Sequence, residues 1–144
     1  MKYHFKITKE KSGYSAYCIE LPGCITQANS RSELDLNMAE AIELFLDEPV
    51  DSKAIYPLPR KRVLLNSNIV EVQVAPRVAF AFALRRLRLS HQLTQRKTAN
   101  QIGIKGSLNN YQRLENSQTA NPVLETLVMI KRAFPDFPIE QVAS

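Results

Sequence analysis

One stretch limits the fold of this chain more than any other. From Phe80 to Phe134 the apolar residues recur at helical spacing in short segments separated by polar breaks. Its first half is cationic throughout: between Arg77 and Leu114 lie Arg85, Arg86, Arg88, Arg96, Lys97, Lys105 and Arg113, with no Asp or Glu. A segment of small helices with that charge is suited to lie against a polyanion, DNA above all.

The rest of the chain has a different balance. Residues 1–75 carry nine Lys/Arg against ten Asp/Glu, whereas residues 76–144 carry ten against four. A near-neutral half joined to a basic half predicts two domains, 1–75 and 76–144, with different partners. A hydrophobic share of 44% is enough to bury a core, which excludes wholesale disorder. Cys18 and Cys24 are too few for a disulfide scaffold, and no second Cys pair or His cluster completes a zinc site, so free thiols in a reducing cytoplasm are expected. The amino terminus alternates polar and apolar residues, unlike a signal peptide, and no apolar run reaches membrane-spanning length.

In the first half, Tyr3, Phe5 and Ile7 alternate with polar neighbours, the period-2 pattern of a half-buried strand. A polar connection through Gly13 leads to a second strand, Tyr14–Ile19. Pro22-Gly23 turns the chain into a third, Cys24–Ala28. Ser30 followed by Glu33 has the form of a capping box. The helix it opens places Leu34, Met38, Ala41, Ile42 and Phe45 on one face. Glu40, Glu43 and Asp47 share the outer side, either as a solvated face or as a docking surface for a basic partner. A proline-containing loop over 49–62 precedes a fourth strand, Ile69–Val74, and Pro76 is expected to close the domain. The order β-β-β-α-β predicts an antiparallel sheet with one helix on a face, and the chain as a whole is α+β. Glu20 and Glu71 are the strand carboxylates, and no cluster of acids suited to two-metal chemistry is evident. His4 and His91 are expected on polar faces, isolated. No catalytic residue and no cofactor is expected.

Tyr14-Ser15, Glu20, Leu21-Pro22-Gly23 and the helix with Ala39 and Ala41 follow one another in an order that resembles the HicB antitoxin family over residues 3–47. Ala28-Asn29 stand where that family usually has Gly-Asp, and Leu34 where it often has Ala. The resemblance implies a partial ribonuclease-H-like fold without catalysis, whose partner is a HicA-type toxin that cleaves messenger RNA. Glu20, Glu40, Glu43 and Asp47 are then the candidate toxin-binding residues.

In the second half, Phe80, Ala83, Leu84 and Leu87 form an apolar helical seam with an Arg-rich back. Thr94 is suited to cap a helix Gln95–Ile102, which Gly103 ends in a left-handed conformation. Ser107 is suited to cap a third helix, Leu108–Asn116, with Leu108, Tyr111 and Leu114 inward and Asn109, Asn110 and Arg113 outward. Asn121-Pro122 turns into a fourth helix, and Phe137 and Ile139 are expected to fold back. Leu93-Thr94-Gln95, Ala99, Ile102-Gly103-Ile104 and Arg113-Leu114-Glu115-Asn116 resemble the Cro/lambda-repressor (XRE) helix-turn-helix family. Thr98 stands where that family usually has Leu, and the turn before Leu108 is about two residues longer than its common spacing.

Amides pair bidentately with adenine and guanidinium with guanine, so Asn109, Asn110 and Arg113 are the candidate base readers. Gln95, Arg96, Lys105 and Ser107 are candidates for holding phosphates. The combined reading is an antitoxin that neutralises its toxin and represses its own operon by binding operator double-stranded DNA. A homodimer at least is expected, with tetramers left open. The alternative is a stand-alone transcriptional regulator with a ligand-sensing first domain.

Overall fold

The computed structural model describes all 144 residues. They form two compact units, Met1–Val50 with Tyr56–Ala75 and Asp51–Ile55 with Pro76–Ser144. The architecture is α+β, with one four-stranded sheet and six helices.

The first unit contains β1 (Lys2–Lys9), β2 (Tyr14–Cys18), β3 (Ile25–Ala28), α1 (Arg31–Leu46) and β4 (Ile69–Gln73). The strands lie in the order β3-β2-β1-β4, and every pairing is antiparallel. Alternation decides which face is covered: Tyr3, Phe5, Ile7, Ala16, Cys18 and Val72 are buried, together with Leu34, Met38, Ile42 and Leu46 of α1. Ala41 and Phe45, expected among the buried residues of α1, are only half-buried, because the buried stripe runs on to Leu46. The Ser30 cap forms as expected, with the returning carboxylate displaced by one residue. Ser30 Oγ accepts from the Glu33 amide at 3.2 Å, and the Glu33 carboxylate reaches back to the Asn29 amide at 3.3 Å. Beyond α1, the Tyr56 ring packs 4.8 Å from Phe45 and its hydroxyl donates to Glu48. Tyr3 Oη donates to the Pro57 carbonyl at 2.7 Å.

The second unit contains α2 (Pro76–Ser90), α3 (Gln95–Ile102), α4 (Leu108–Glu115), α5 (Leu124–Ala133) and α6 (Ile139–Ala143). Pro76, expected to close the first domain, is the first residue of α2. Proline suits a first helical turn, where its missing N–H would have had no partner. The Arg-rich back of α2 is also corrected. Residues 79–84 are all buried, Arg85 and Arg86 are half-buried, and Arg88 is buried with Leu87. Helix α4 packs against α2 and α3, α5 against α3, and α6 against α2. Phe137 is buried edge-on to Phe80 at 5.9 Å, while Ile139 is half-buried and starts α6.

Candidate nucleic-acid interface

The α3–turn–α4 segment is held by local chemistry at each end. Thr94 Oγ1 accepts from the Lys97 amide at 3.1 Å and caps α3. Gly103 then takes φ 90°, and its amide donates to the Ala99 and Asn100 carbonyls. The longer turn is made by a second left-handed glycine, Gly106 at φ 98°. That positive φ is what calls for glycine here; an added Cβ would meet only the end of the Asn110 side chain, at 2.6 Å. Ser107 occupies the N-cap position of α4 without a side-chain capping bond.

Beneath the turn, Thr98 is fully buried and its hydroxyl donates to the Thr94 carbonyl at 2.8 Å. Tyr111 is equally buried, and its hydroxyl donates to Glu115. Burial, followed by the neighbouring Glu115 charge, pushes that phenol far above its ordinary range. Glu115 also receives Arg88 in a two-bond clamp, Nε at 2.7 Å and Nη2 at 3.0 Å, with both side chains under 9% exposed. Burial alone would lower the Arg88 pKa, but the bonds to Glu115 and its charge outweigh that effect and raise it. The first acid after the cationic run is therefore spent inside the unit. Arg77, Arg96, Lys97, Lys105 and Arg113 remain exposed.

On α4, Asn109, Gln112 and Arg113 are exposed at i, i+3 and i+4, which places them on one face. Gln112 was missed in reading the sequence, although the same spacing that marks Asn109 and Arg113 includes it. Its Nε2 donates to Gln95 Oε1 at 3.1 Å, and Gln95 Nε2 reaches Glu115 at 3.5 Å. This amide relay brings the start of α3 beside the outer face of α4. Asn110 is placed differently from Asn109: its Nδ2 donates to the Lys105 carbonyl at 3.2 Å, so its amide closes the turn. Lys105 and Ser107 are exposed on that same turn, and Arg96 follows Gln95 on the first turn of α3.

The acidic candidates of the first unit do not form one surface. Glu40 and Asp47 are exposed and Glu43 is half-buried on α1. Glu20 is buried, 5% exposed, and is withdrawn from any partner-facing surface. Its Oε1 accepts from the His4 amide at 3.0 Å, and its Oε2 accepts from the Arg60 amide at 3.1 Å and lies 2.7 Å from His4 Nδ1. Nor is His4 on an isolated polar face. It is 4% exposed, and Glu71 Oε1 stands 3.8 Å from its other ring nitrogen. His91 pairs with Asp136 at 2.8 Å and packs its ring 5.1 Å from Phe134. No group of three or more His, Cys, Asp or Glu side chains is arranged to hold a metal, and no helix is long and apolar enough to cross a membrane.

No family model matches the chain. It is similar to a UPF0150 protein of Archaeoglobus fulgidus, 46% identical over 48 residues, which are 33% of this chain and 70% of that protein. A UPF0150 protein of Thermoplasma acidophilum is 40% identical over 48 residues, with the same shares of each chain. Two thirds of the chain lie outside these matches, but the matched segment spans most of each relative. On that segment, the chain belongs to the UPF0150 protein family.

Proposed function

We propose that this protein is a two-part antitoxin-type regulator, in which the second unit binds operator DNA and the first neutralises a toxin protein. The observation that carries the DNA half is the outer face of α4. It presents Asn109, Gln112 and Arg113 together, while the nearest acid, Glu115, is buried against Arg88. An exposed amide–guanidinium face beside an exposed cationic turn has the donors for base edges and the charge for phosphates. Asn109, Gln112 and Arg113 read bases. Gln95, Arg96, Lys105 and Ser107 hold the backbone, with Asn110 fixing the turn between them. The XRE resemblance supports the same assignment.

Kinship of UPF0150 proteins with HicB-like antitoxins supports the other half. The partner is a small basic HicA-type ribonuclease, covered sterically, with exposed Glu40 on α1, half-buried Glu43 and exposed Asp47 at the helix end as its attraction. No chemistry is carried out by this chain. The protein works as a cytoplasmic homodimer, so that two α4 helices meet half-sites about 34–36 Å apart on a palindromic operator.

Two substitutions separate base reading from backbone holding. Arg113→Ala is expected to weaken operator binding about 5- to 150-fold, equivalent to about 1–3 kcal/mol, with little change on random duplex. Arg96→Ala is expected to weaken both alike. Anisotropy titrations of the full chain on its own promoter and on a shuffled duplex read the two effects. Co-purification with the product of a very short adjacent reading frame tests the toxin half.

A further inference from the structure

Cys18 ends β2 and Cys24 stands one residue before β3, on either side of the Leu21-Pro22-Gly23 turn. The register that pairs Tyr17 with Ile25 continues by one rung. The Cys18 amide donates to the Cys24 carbonyl at 2.9 Å, and the Cys24 amide closes the turn on the Leu21 carbonyl at 3.0 Å. Both thiols are free and buried. Directly opposed residues of antiparallel strands have Cα atoms about 4.5–5.5 Å apart. Disulfides bridge Cα separations of about 4.4–6.8 Å, a range that includes that separation.

The two sulfurs differ. Cys18 is pushed well above the ordinary thiol range by its neighbour Cys24 and by burial, and its S–H donates to Glu20 Oε1 at 3.8 Å. Cys24 is lowered by its neighbour Cys18, against the opposing effect of burial. Cys24 also lines an open groove beside α1, with Gly23, Ile25, Asn37, Ala41 and Phe45. Cys24, which lines the groove and lies cross-strand from a second thiol, is the sulfur a reagent entering the groove meets first, and Cys18 is placed to resolve it.

We propose that Cys18 and Cys24 are a reversible oxidation site, which a low-molecular-weight disulfide converts into a cross-strand disulfide. The Cys24 thiolate attacks one sulfur of the reagent, forming a mixed disulfide and expelling one thiolate. Cys18 gives up its proton to that thiolate, attacks the Cys24 sulfur, and expels the second half of the reagent, which takes a proton from water. The two cysteines lose two electrons, and the reagent, gaining them, leaves as two thiols. The new bond fastens the turn that leads into β3, the edge strand of the sheet, and stiffens the groove wall. It is independent of the DNA-binding and toxin-binding assignments above.

The test is to treat the reduced full-length chain with oxidised glutathione under native conditions, trap it with alkylating reagent in acid, and map it by non-reducing peptide mass. The expected product lacks two hydrogens, carries a Cys18–Cys24 cross-link, and returns to the dithiol with dithiothreitol. Cys18→Ser is expected to stop at the glutathione adduct on Cys24. Three outcomes overturn the proposal: both thiols staying alkylatable in the native chain while urea makes them oxidisable, a stable adduct on wild-type Cys24, or a cross-link between two chains.

Discussion

Replacing Arg88 with methionine is expected to cost the helical unit about 3–5 kcal/mol, the largest loss of any single cation in the chain. The guanidinium makes two bonds to Glu115 with neither side chain reaching solvent appreciably. Removing it strands a buried carboxylate that Tyr111 and Gln95 alone cannot compensate. The fold-stabilising quantity is the pairing, not the charge itself. Arg88→Met combined with Glu115→Gln is therefore expected to recover more than half of the loss, since Gln still accepts from Tyr111 and carries no charge. Arg96→Met, on an exposed residue of α3, is expected to stay within about 0.5 kcal/mol. Urea denaturation followed by far-ultraviolet circular dichroism measures all three.

A comparable effect is expected in the first unit from Glu20→Leu. Its carboxylate accepts the His4 and Arg60 amides and meets the His4 ring, so leucine leaves three polar groups facing an apolar side chain. Each buried group left without a partner costs about 1–3 kcal/mol, and relaxation of the Arg60 segment recovers part of the sum, for a net loss of about 3–5 kcal/mol. Glu71→Leu is the control. Glu71 is exposed on β4, 3.9 Å from Lys2 and 3.8 Å from His4, and about 0.5 kcal/mol is expected there. Equal losses from the two substitutions would mean that Glu20 does not anchor the 57–62 loop.

What could be read from the sequence was mostly local. Alternation marked β1 and β4, aromatic and β-branched content marked β2, and the Pro22-Gly23 turn marked β3, while buried His4 departs from the alternation of β1. The starts of α1 and α3 follow Ser30–Glu33 and Thr94, whose hydroxyls act on amides three residues away. Gly103 marks the end of α3 because a left-handed residue is needed there. What could not be read depends on contacts far along the chain. Arg88 looks like one more surface cation until Glu115, 27 residues on, is brought against it. Glu20 looks like a partner-facing acid until the Arg60 amide, 40 residues on, closes over it. Asn109 and Asn110 are indistinguishable as letters, and the lengthened turn at Gly106 gives only the second a carbonyl to hold. Gln112 was legible, by its spacing from Asn109 and Arg113.

The most direct test of the central claim, that the helical unit sets α4 against a DNA duplex, is the salt dependence of binding. The full chain would be titrated by anisotropy onto a duplex of its own upstream region between 50 and 200 mM salt. If Arg96, Lys105 and their neighbours on a dimer neutralise about six phosphates, the logarithm of affinity falls linearly with the logarithm of salt and the loss approaches about a thousandfold. Affinity indifferent to salt, or no binding at the lowest salt, would contradict the account.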